Sequence, residues 1–367
     1  MLKTNKYRVY PNKEQEILIN KTFGSARFVY NMMLKFRKDL YSQTHISYTK
    51  IDCNNWCNRV LKEEYPWLKE VDKFALTNAI YNMDNAYQKF FKQHSGYPRF
   101  KNKKDNYKAY TTNYTNNNII VDYNNNYIKL PKLGKVKSKV HRDLNGKIKN
   151  ATISRTPSGK YYVALTYECN NKILPNTDKV VGIDLGVKDL VITSDGIKYE
   201  NPHTLKKKED KLKRIQRRLS KKEKGSSNYK KLKQQLALCY EKITNIRKDS
   251  LHKISHKLVY ENQVIVTEDL RVKNMVRNHN LARSILDASF GELIRELEYK
   301  ANWYSRTLIK IDTFYPSSQL CHVCGNKNAM VKDLSIRSWE CPNCHSKNDR
   351  DINAAKNILQ EGLRLLS

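Results

Sequence analysis

Two pairs of cysteines place the tightest constraint on what this chain can fold into. Cys321 and Cys324 are separated by two residues, as are Cys341 and Cys344, and 16 residues lie between the pairs. Such spacing makes two knuckles, the first followed by Gly325, that bring four thiolates to one tetrahedral zinc ion. Four thiolates leave no open coordination position, so one structural Zn2+ is expected, with His322 and His345 surplus beside it. A loop this small has too little core to hold its shape without metal. The remaining cysteines, Cys53, Cys57, Cys169 and Cys239, are scattered, and the first two suit one face of a helix as small buried side chains. The N-terminal MLKTNKYRVYPNKEQ lacks the apolar core of a signal peptide. Reduced thiols in the cytoplasm, at the nucleoid, are the expectation, without disulfides.

Charge narrows the function next. Lys and Arg number 69 against 36 Asp and Glu, a formal net charge of +33. Self-repulsion on that scale opposes the compact state unless a polyanion is near. Nucleic acid fits. A membrane surface fits less well, because no run of about 18 apolar residues exists to anchor the chain. With 39% hydrophobic residues and 24 tyrosines, wholesale disorder is excluded. The 367 residues suffice for two or three domains of roughly 100–200 residues each.

Along the chain, residues 1–10 read as a strand that stops at Pro11. Asn12 then caps a helical region running to about residue 95, read as roughly four helices, with Leu18, Phe23, Val29 and Met33 at helical spacing. Gly96 and Pro98 end it in a stretch where Tyr97 and Phe100 interleave with Arg99, Lys101, Lys103 and Lys104. Aromatic and basic groups mixed in this way suit stacked bases and phosphates, though a solvated linker would look the same. Residues 105–175 are β-rich, with a hairpin turn at Pro157-Ser158-Gly159, and read as a small barrel or sandwich that the first strand would complete.

Residues 180–194 read as two apolar strands around Gly186, the first buried on both faces. Residues 204–257 form a helical hairpin broken at Gly225-Ser226-Ser227, with 19 Lys/Arg against 5 Asp/Glu. Lys213, Arg214, Arg217 and Arg218 are its candidate backbone-gripping residues, as are Arg99 and Lys101 in the aromatic stretch. Strands over 263–268 and 307–312, a helix over about 288–306 and a closing helix from 351 complete the pattern.

Three carboxylates stand out on those elements. Asp184 lies within an apolar strand, Glu268 ends another, and Asp351 sits just before the last helix. An acid inside an apolar strand is costly unless something compensates it. Three converging acids do so by holding divalent cations, and two Mg2+ ions about 4 Å apart serve phosphodiester cleavage.

These residues together resemble the TnpB family, the RNA-guided nucleases encoded by insertion sequences and related to type V CRISPR effectors. The resemblance is carried by G-I-D-L-G at 182–186, T-E-D-L at 267–270, the cysteine pairs and D-R-D-I-N-A-A at 349–355. Y-P-N-K-E-Q at 10–15, F-G-x-x-R-x-V-Y-N at 23–31, G-Y-P-R-F-K at 96–101, L-P-K-L-G at 130–134 and P-S-S-Q-L-C at 316–321 extend it along the chain in order. It implies an α+β multidomain fold. A wedge-type β-barrel domain (1–10 and 96–177) would carry an inserted helical recognition domain (11–95). An RNase H-like RuvC α/β nuclease domain (178–320 and 345–367) would carry an inserted zinc ribbon (321–344).

The resemblance also implies a catalytic, Mg2+-binding set of Asp184, Glu268 and Asp351, Asp349 not being assigned. The partners implied are a guide RNA from the element end and a double-stranded target DNA, cut beside a short adjacent motif by a monomeric ribonucleoprotein. Thr77 and Asn78 in FALTNAIYN are the candidates for reading that motif, since Asn can pair bidentately with adenine. Two other readings compete: an RNA-guided DNA-binding regulator that does not cut, and an RNA-independent DNA transposase or resolvase. Loss of an acid would have favoured the first, and all three are present.

Overall fold

The computed structural model describes every residue except 106, 334 and 367, and all other side chains except those of 273 and 280. It is a mixed α/β chain of two compact units, Met1–Asn170 and Asn171–Ser367. The division falls seven residues before the domain boundary expected at 177–178.

In the first unit, strand β1 (Leu2–Tyr10) leads through Pro11 into helix α1 (Lys13–Thr44). Asn12 Oδ1 accepts from Gln15 N–H at 2.8 Å and Gln15 Oε1 accepts from Asn12 N–H at 3.0 Å, while Glu14 and Glu16 complement the helix dipole. Helix α2 (Lys50–Trp56) runs into a π turn, and α3 (Lys73–Gln93) ends at His94 in the left-handed region, two residues before Gly96. Three main helices thus occupy the region read as roughly four. Arg37 and Asp84 join α1 to α3 through an ion pair of 2.7 Å, and the same guanidinium lies 4.5 Å from the Tyr87 ring centre.

Strands β2 (Lys108–Asn113), β3 (Ile120–Asp122), β4 (Tyr127–Leu130), β5 (Gly134–Lys139), β6 (Lys147–Arg155) and β7 (Tyr161–Glu168) join β1 in one antiparallel sheet. Its order is β2-β6-β7-β1-β5-β4-β3. The outermost strands do not pair with each other among the described residues, so the hydrogen bonding is that of an open sheet, where a barrel was expected. The two edges are β2 and β3, and β3 is only three residues long. A short outer strand leaves too few ladder bonds to close the ring. Tyr7, Val29, Met33, Ile80 and Met83 share one apolar core with Tyr110, Ile153 and Val163, so helices and sheet pack together.

The second unit is built on a five-stranded sheet of β8 (Val180–Asp184), β9 (Asp189–Thr193), β10 (Lys198–Glu200), β11 (Val264–Glu268) and β12 (Thr307–Ile311), ordered β10-β9-β8-β11-β12. Strands β8, β11 and β12 are parallel; β9 runs antiparallel to β8, and β10 antiparallel to β9. Side-chain alternation divides the two faces. Val181, Ile183 and Ile265 point to Leu251, Leu258, Leu293 and Leu297, which lie on helices α5 (Ser227–Glu261) and α7 (Phe290–Tyr304). Val266 and Ile311 point to Ile358 on the last helix, Arg350–Arg364. Helix α4 (Thr204–Ser220) forms the basic hairpin with α5 around Leu212, Ile215, Cys239 and Ile243, and α5 continues four residues past the expected end at 257. Helix α6 (His279–Ala288) was not anticipated. A two-stranded ribbon, β13 (Ser338–Glu340) with β14 (Lys347–Asp349), leads into the last helix, α8.

Candidate active site and metal centre

The cysteine pairs converge as their spacing requires. All four Sγ atoms lie within 4.8 Å of one another, with Cys321–Cys344 at 3.7 Å and Cys324–Cys341 at 3.6 Å. Four sulfurs at about 2.3 Å from a tetrahedral zinc would stand about 3.8 Å apart, so the donor set fits the ion. Burial pushes the Cys321 thiol up, but hydrogen bonds from Ser346 and the backbone of Cys324 and Val323 prevail and bring it to about 6, towards the thiolate a metal needs. His322 is turned away: Nδ1 meets Asn353 Oδ1 at 3.0 Å and Nε2 meets Lys356 Nζ at 3.2 Å. His345 Nδ1 lies 3.2 Å from Glu340 Oε1.

Two close backbone approaches seat α8 on the sheet. A Cβ on Gly182 would come within 2.2 Å of Ala355 O, and one on Gly362 within 2.2 Å of Val266 Cγ1. With these glycines in place, the N-terminus of α8 lies beside the carboxyl end of β8. Asp349 is the N-cap, its Oδ1 accepting from Asp351 N–H at 3.0 Å and Ile352 N–H at 3.1 Å, and its Oδ2 accepting from Lys198 Nζ at 2.7 Å. Asp351 is therefore inside the first helical turn, one step beyond its expected place before the helix. The two acids of D-R-D have different tasks: one caps the helix, the other faces the site.

Asp184 carries the electrostatic signature of the cluster. Burial, then the negative charges of Glu268 and Asp351, push its carboxyl up to about 7, and a hydrogen bond from Leu185 N–H and the charge of Arg350 do not reverse this. Burial also raises Glu268, although Ser317 Oγ donates to its Oε1 at 2.6 Å. Asp184, Glu268 and Asp351 thus stand near one end of the sheet, and carboxylate oxygens are hard ligands of the kind that could hold a divalent cation such as Mg2+.

Residues that the sequence reading missed hold this arrangement. Asn353 and Asn357, both buried on α8, donate to Leu320 O at 2.7 Å each, and Asn357 also donates to Ser317 O at 2.7 Å. They bolt the 317–321 segment, which carries both the Glu268 partner and the first knuckle. Arg337, between the cysteine pairs, lies 3.7 Å from Asp351, and Arg350 donates to Asp333 O at 2.6 Å. The only advance signal for the asparagines was their spacing of four on one helix face.

The other expected contact residues divide. Asn78 donates to Thr111 O at 2.9 Å and Asn113 Oδ1 at 3.1 Å, and Thr77 donates to Asn54 Oδ1 at 3.1 Å. Both side chains are tied inside the first unit, where a motif reader would present free groups. Asn78 is half-buried against β2 and Thr77 against α2. Arg99 is exposed, and Lys101 Nζ stands 4.2 Å over the Tyr30 ring. Arg214, Arg217 and Arg218 are exposed on α4, opposite its apolar stripe, and Lys213 pairs with Glu209 at 2.6 Å. No helix among the described residues is long and apolar enough to cross a membrane.

Fold and site define a mixed α/β protein with a four-cysteine cluster beside a cluster of half-buried acids. Comparison with known proteins places it further. Family models described as "Probable transposase", "Cas12f1-like, TNB domain" and "Helix-turn-helix domain" match residues 164–279, 290–358 and 1–45. In the last of these the structure has one strand and one continuous helix. A Streptomyces pristinaespiralis protein named "Putative RNA-guided DNA endonuclease" is 38% identical over 98% of this chain and 89% of its own length. Its Escherichia coli K12 counterpart InsQ is 32% identical over 100% of this chain and 94% of its own. A solved Cas12f1–sgRNA–target DNA complex aligns over 98% of this chain and 99% of that one at 16% identity and TM-score 0.38, too loose for residue correspondence. This chain belongs to the TnpB family.

Proposed function

We propose that the protein is an RNA-guided DNA endonuclease of a transposable element. Asp184, Glu268 and Asp351 are its catalytic acids, the second unit is an RNase H-like RuvC nuclease domain, and the cysteine module is a zinc ribbon. The observation that carries the reading is the meeting of the three acids where β8, β11 and α8 come together, where burial first and then the charges of Glu268 and Asp351 lift Asp184 to about 7. The sheet order β10-β9-β8-β11-β12, with its acids at the carboxyl ends of parallel strands, supports it further, because ligands of such sheets bind at that end.

When bound, two Mg2+ ions at the acids supply an activated water and charge stabilisation for in-line phosphodiester hydrolysis. The chain's own groups prepare the place. Ser317 fixes the orientation of Glu268, and the Asp349 cap fixes the first turn that presents Asp351. Arg337 brings a positive charge from the ribbon to the rim of the site, where a phosphate would enter. Guide pairing supplies sequence specificity, and the basic hairpin holds nucleic-acid backbone. Target DNA is cut beside a short adjacent motif, for which Thr77 and Asn78, tied internally, are weak candidates.

The test is to express the protein with its native flanking DNA, sequence the co-purifying RNA and use it in a cleavage assay. One abundant RNA running from the element end into variable sequence, with guided cutting of matched DNA, is expected. Protein free of RNA that acts on DNA alone would favour a transposase or resolvase, and guided binding without cutting would favour a regulator.

A further inference from the structure

Phe314 is 78% exposed, one of the most exposed large apolar side chains among the described residues. It stands in the loop after β12, between residues bonded to Asp269 and Glu268. Glu268 and Ile311 are register partners, and the chain leaving Ile311 curls over the end of β11. Thr313 Oγ1 donates to Asp269 O at 2.6 Å, and three residues beyond Phe314 Ser317 Oγ donates to Glu268 Oε1 at 2.6 Å. The loop is braced on both sides of the ring: Phe314 N–H donates to Asp312 Oδ1 at 2.7 Å, Tyr315 N–H to Asp312 O at 3.2 Å, and Asn357 holds Ser317 O. An aromatic ring on a fixed mount, left in water, forgoes the burial free energy that a slack loop could recover by folding inward. Beside it lies a cation, the Arg271 guanidinium, 5.7 Å from the ring centre. An aromatic face with a guanidinium next to it matches a nucleobase and its phosphate.

We infer that Phe314, with Arg271 beside it, is a stacking platform for one unpaired nucleobase of the DNA strand entering the acid site, and so a positioning residue for cleavage. This rests on the nuclease reading above. A ring mounted on the loop that bonds Glu268 and Asp269 would hold the neighbouring nucleotide equally before and during cleavage, and so keep the strand on the acids. Any base has a π face, so the platform places the strand without selecting its sequence.

The test uses the purified full chain and single-stranded DNA carrying 2-aminopurine at successive positions, whose fluorescence is quenched on stacking. Wild type should quench at a defined position. Phe314→Ala should lose the quench and raise the DNA concentration for half-maximal guided cleavage about 10-fold or more, the maximal rate staying near wild type. Phe314→Trp should restore both. An alanine variant that keeps quench and half-saturation, or a tryptophan variant as weak as alanine, overturns the inference while wild-type cutting leaves the nuclease reading intact. Wild type that fails to cut yet quenches through Phe314 sinks the nuclease reading and leaves the stacking site standing.

Discussion

Asp184 links stability to chemistry at a single carboxyl. Its folded pKa of about 7 lies above the ordinary value of 3.8, so the folded state holds a proton that the unfolded chain releases. The sign follows: this group costs nothing below about pH 4, destabilises progressively as pH rises towards 7, and carries its full penalty above that. Asparagine removes the charge and nearly keeps the shape. Asp184→Asn should therefore abolish guided cleavage while RNA and target binding persist. In magnesium-free buffer it should also be more stable than wild type by about 1–3 kcal/mol at pH 8, allowing for the carboxyl's partial exposure, and by less at pH 5.5. Thermal melts of both proteins at the two pH values check this, and a variant that melts with wild type throughout would mean the acids do not crowd one another. Asn357 makes a second case. Asn357→Leu strands the carbonyl of Ser317, while Leu320 O keeps Asn353, and should cost about 1–3 kcal/mol in urea unfolding.

At the scale of elements, the seating of α8 decides whether a site exists. Gly182 and Gly362 are the two points where helix and sheet come too close for a side chain. Gly182→Ala should cost about 2–3 kcal/mol and weaken protection of the protein by Mg2+, because the helix must shift and take Asp351 with it. Gly24 in α1 is the control: a Cβ there meets nothing within 4 Å, so Gly24→Ala should stabilise by about 1 kcal/mol. Urea midpoints of the two variants should move in opposite directions.

The same elements show what was legible in the sequence. β8 and β11 could be read because strands covered on both faces are apolar at nearly every position, which also made Asp184 conspicuous. The four cysteines could be read because their geometry is local. Closure of the first sheet could not, since it depends on whether the edge strands β2 and β3 meet, a long-range matter. Placing Asp351 failed by one step because either acid of D-R-D can cap a helix. Ser317, Asn353 and Asn357 were invisible because their partners come from distant segments. The partners of Thr77 and Asn78 could not be read because they too come from other segments, Asn54 on α2 and Thr111 and Asn113 on β2.

For the whole molecule, +33 is the property that any account of function must use. A large share of it, +14 from 19 Lys/Arg against 5 Asp/Glu, lies on residues 204–257 of the α4–α5 hairpin, where the apolar stripe of Leu212 and Ile215 turns inward and Arg214, Arg217 and Arg218 remain exposed. Lys213 is partly neutralised by Glu209, which itself is drawn down to about 2 by hydrogen bonds from Arg283 and then Lys213. Each cation that replaces a condensed counterion on RNA adds about 0.7–0.9 to the slope of log affinity against log salt. Lys213, Arg214, Arg217 and Arg218 changed together to Ala should therefore reduce that slope by about 3, the three free arginines contributing most. Affinity for RNA should fall most at low salt and converge on wild type as salt rises. Filter binding between 50 and 300 mM salt would measure it. A slope unchanged within error would mean the hairpin is a solvated surface and that the polyanion is held elsewhere on the chain. A loss of affinity that is uniform with salt would mean that the hairpin binds through shape instead of charge.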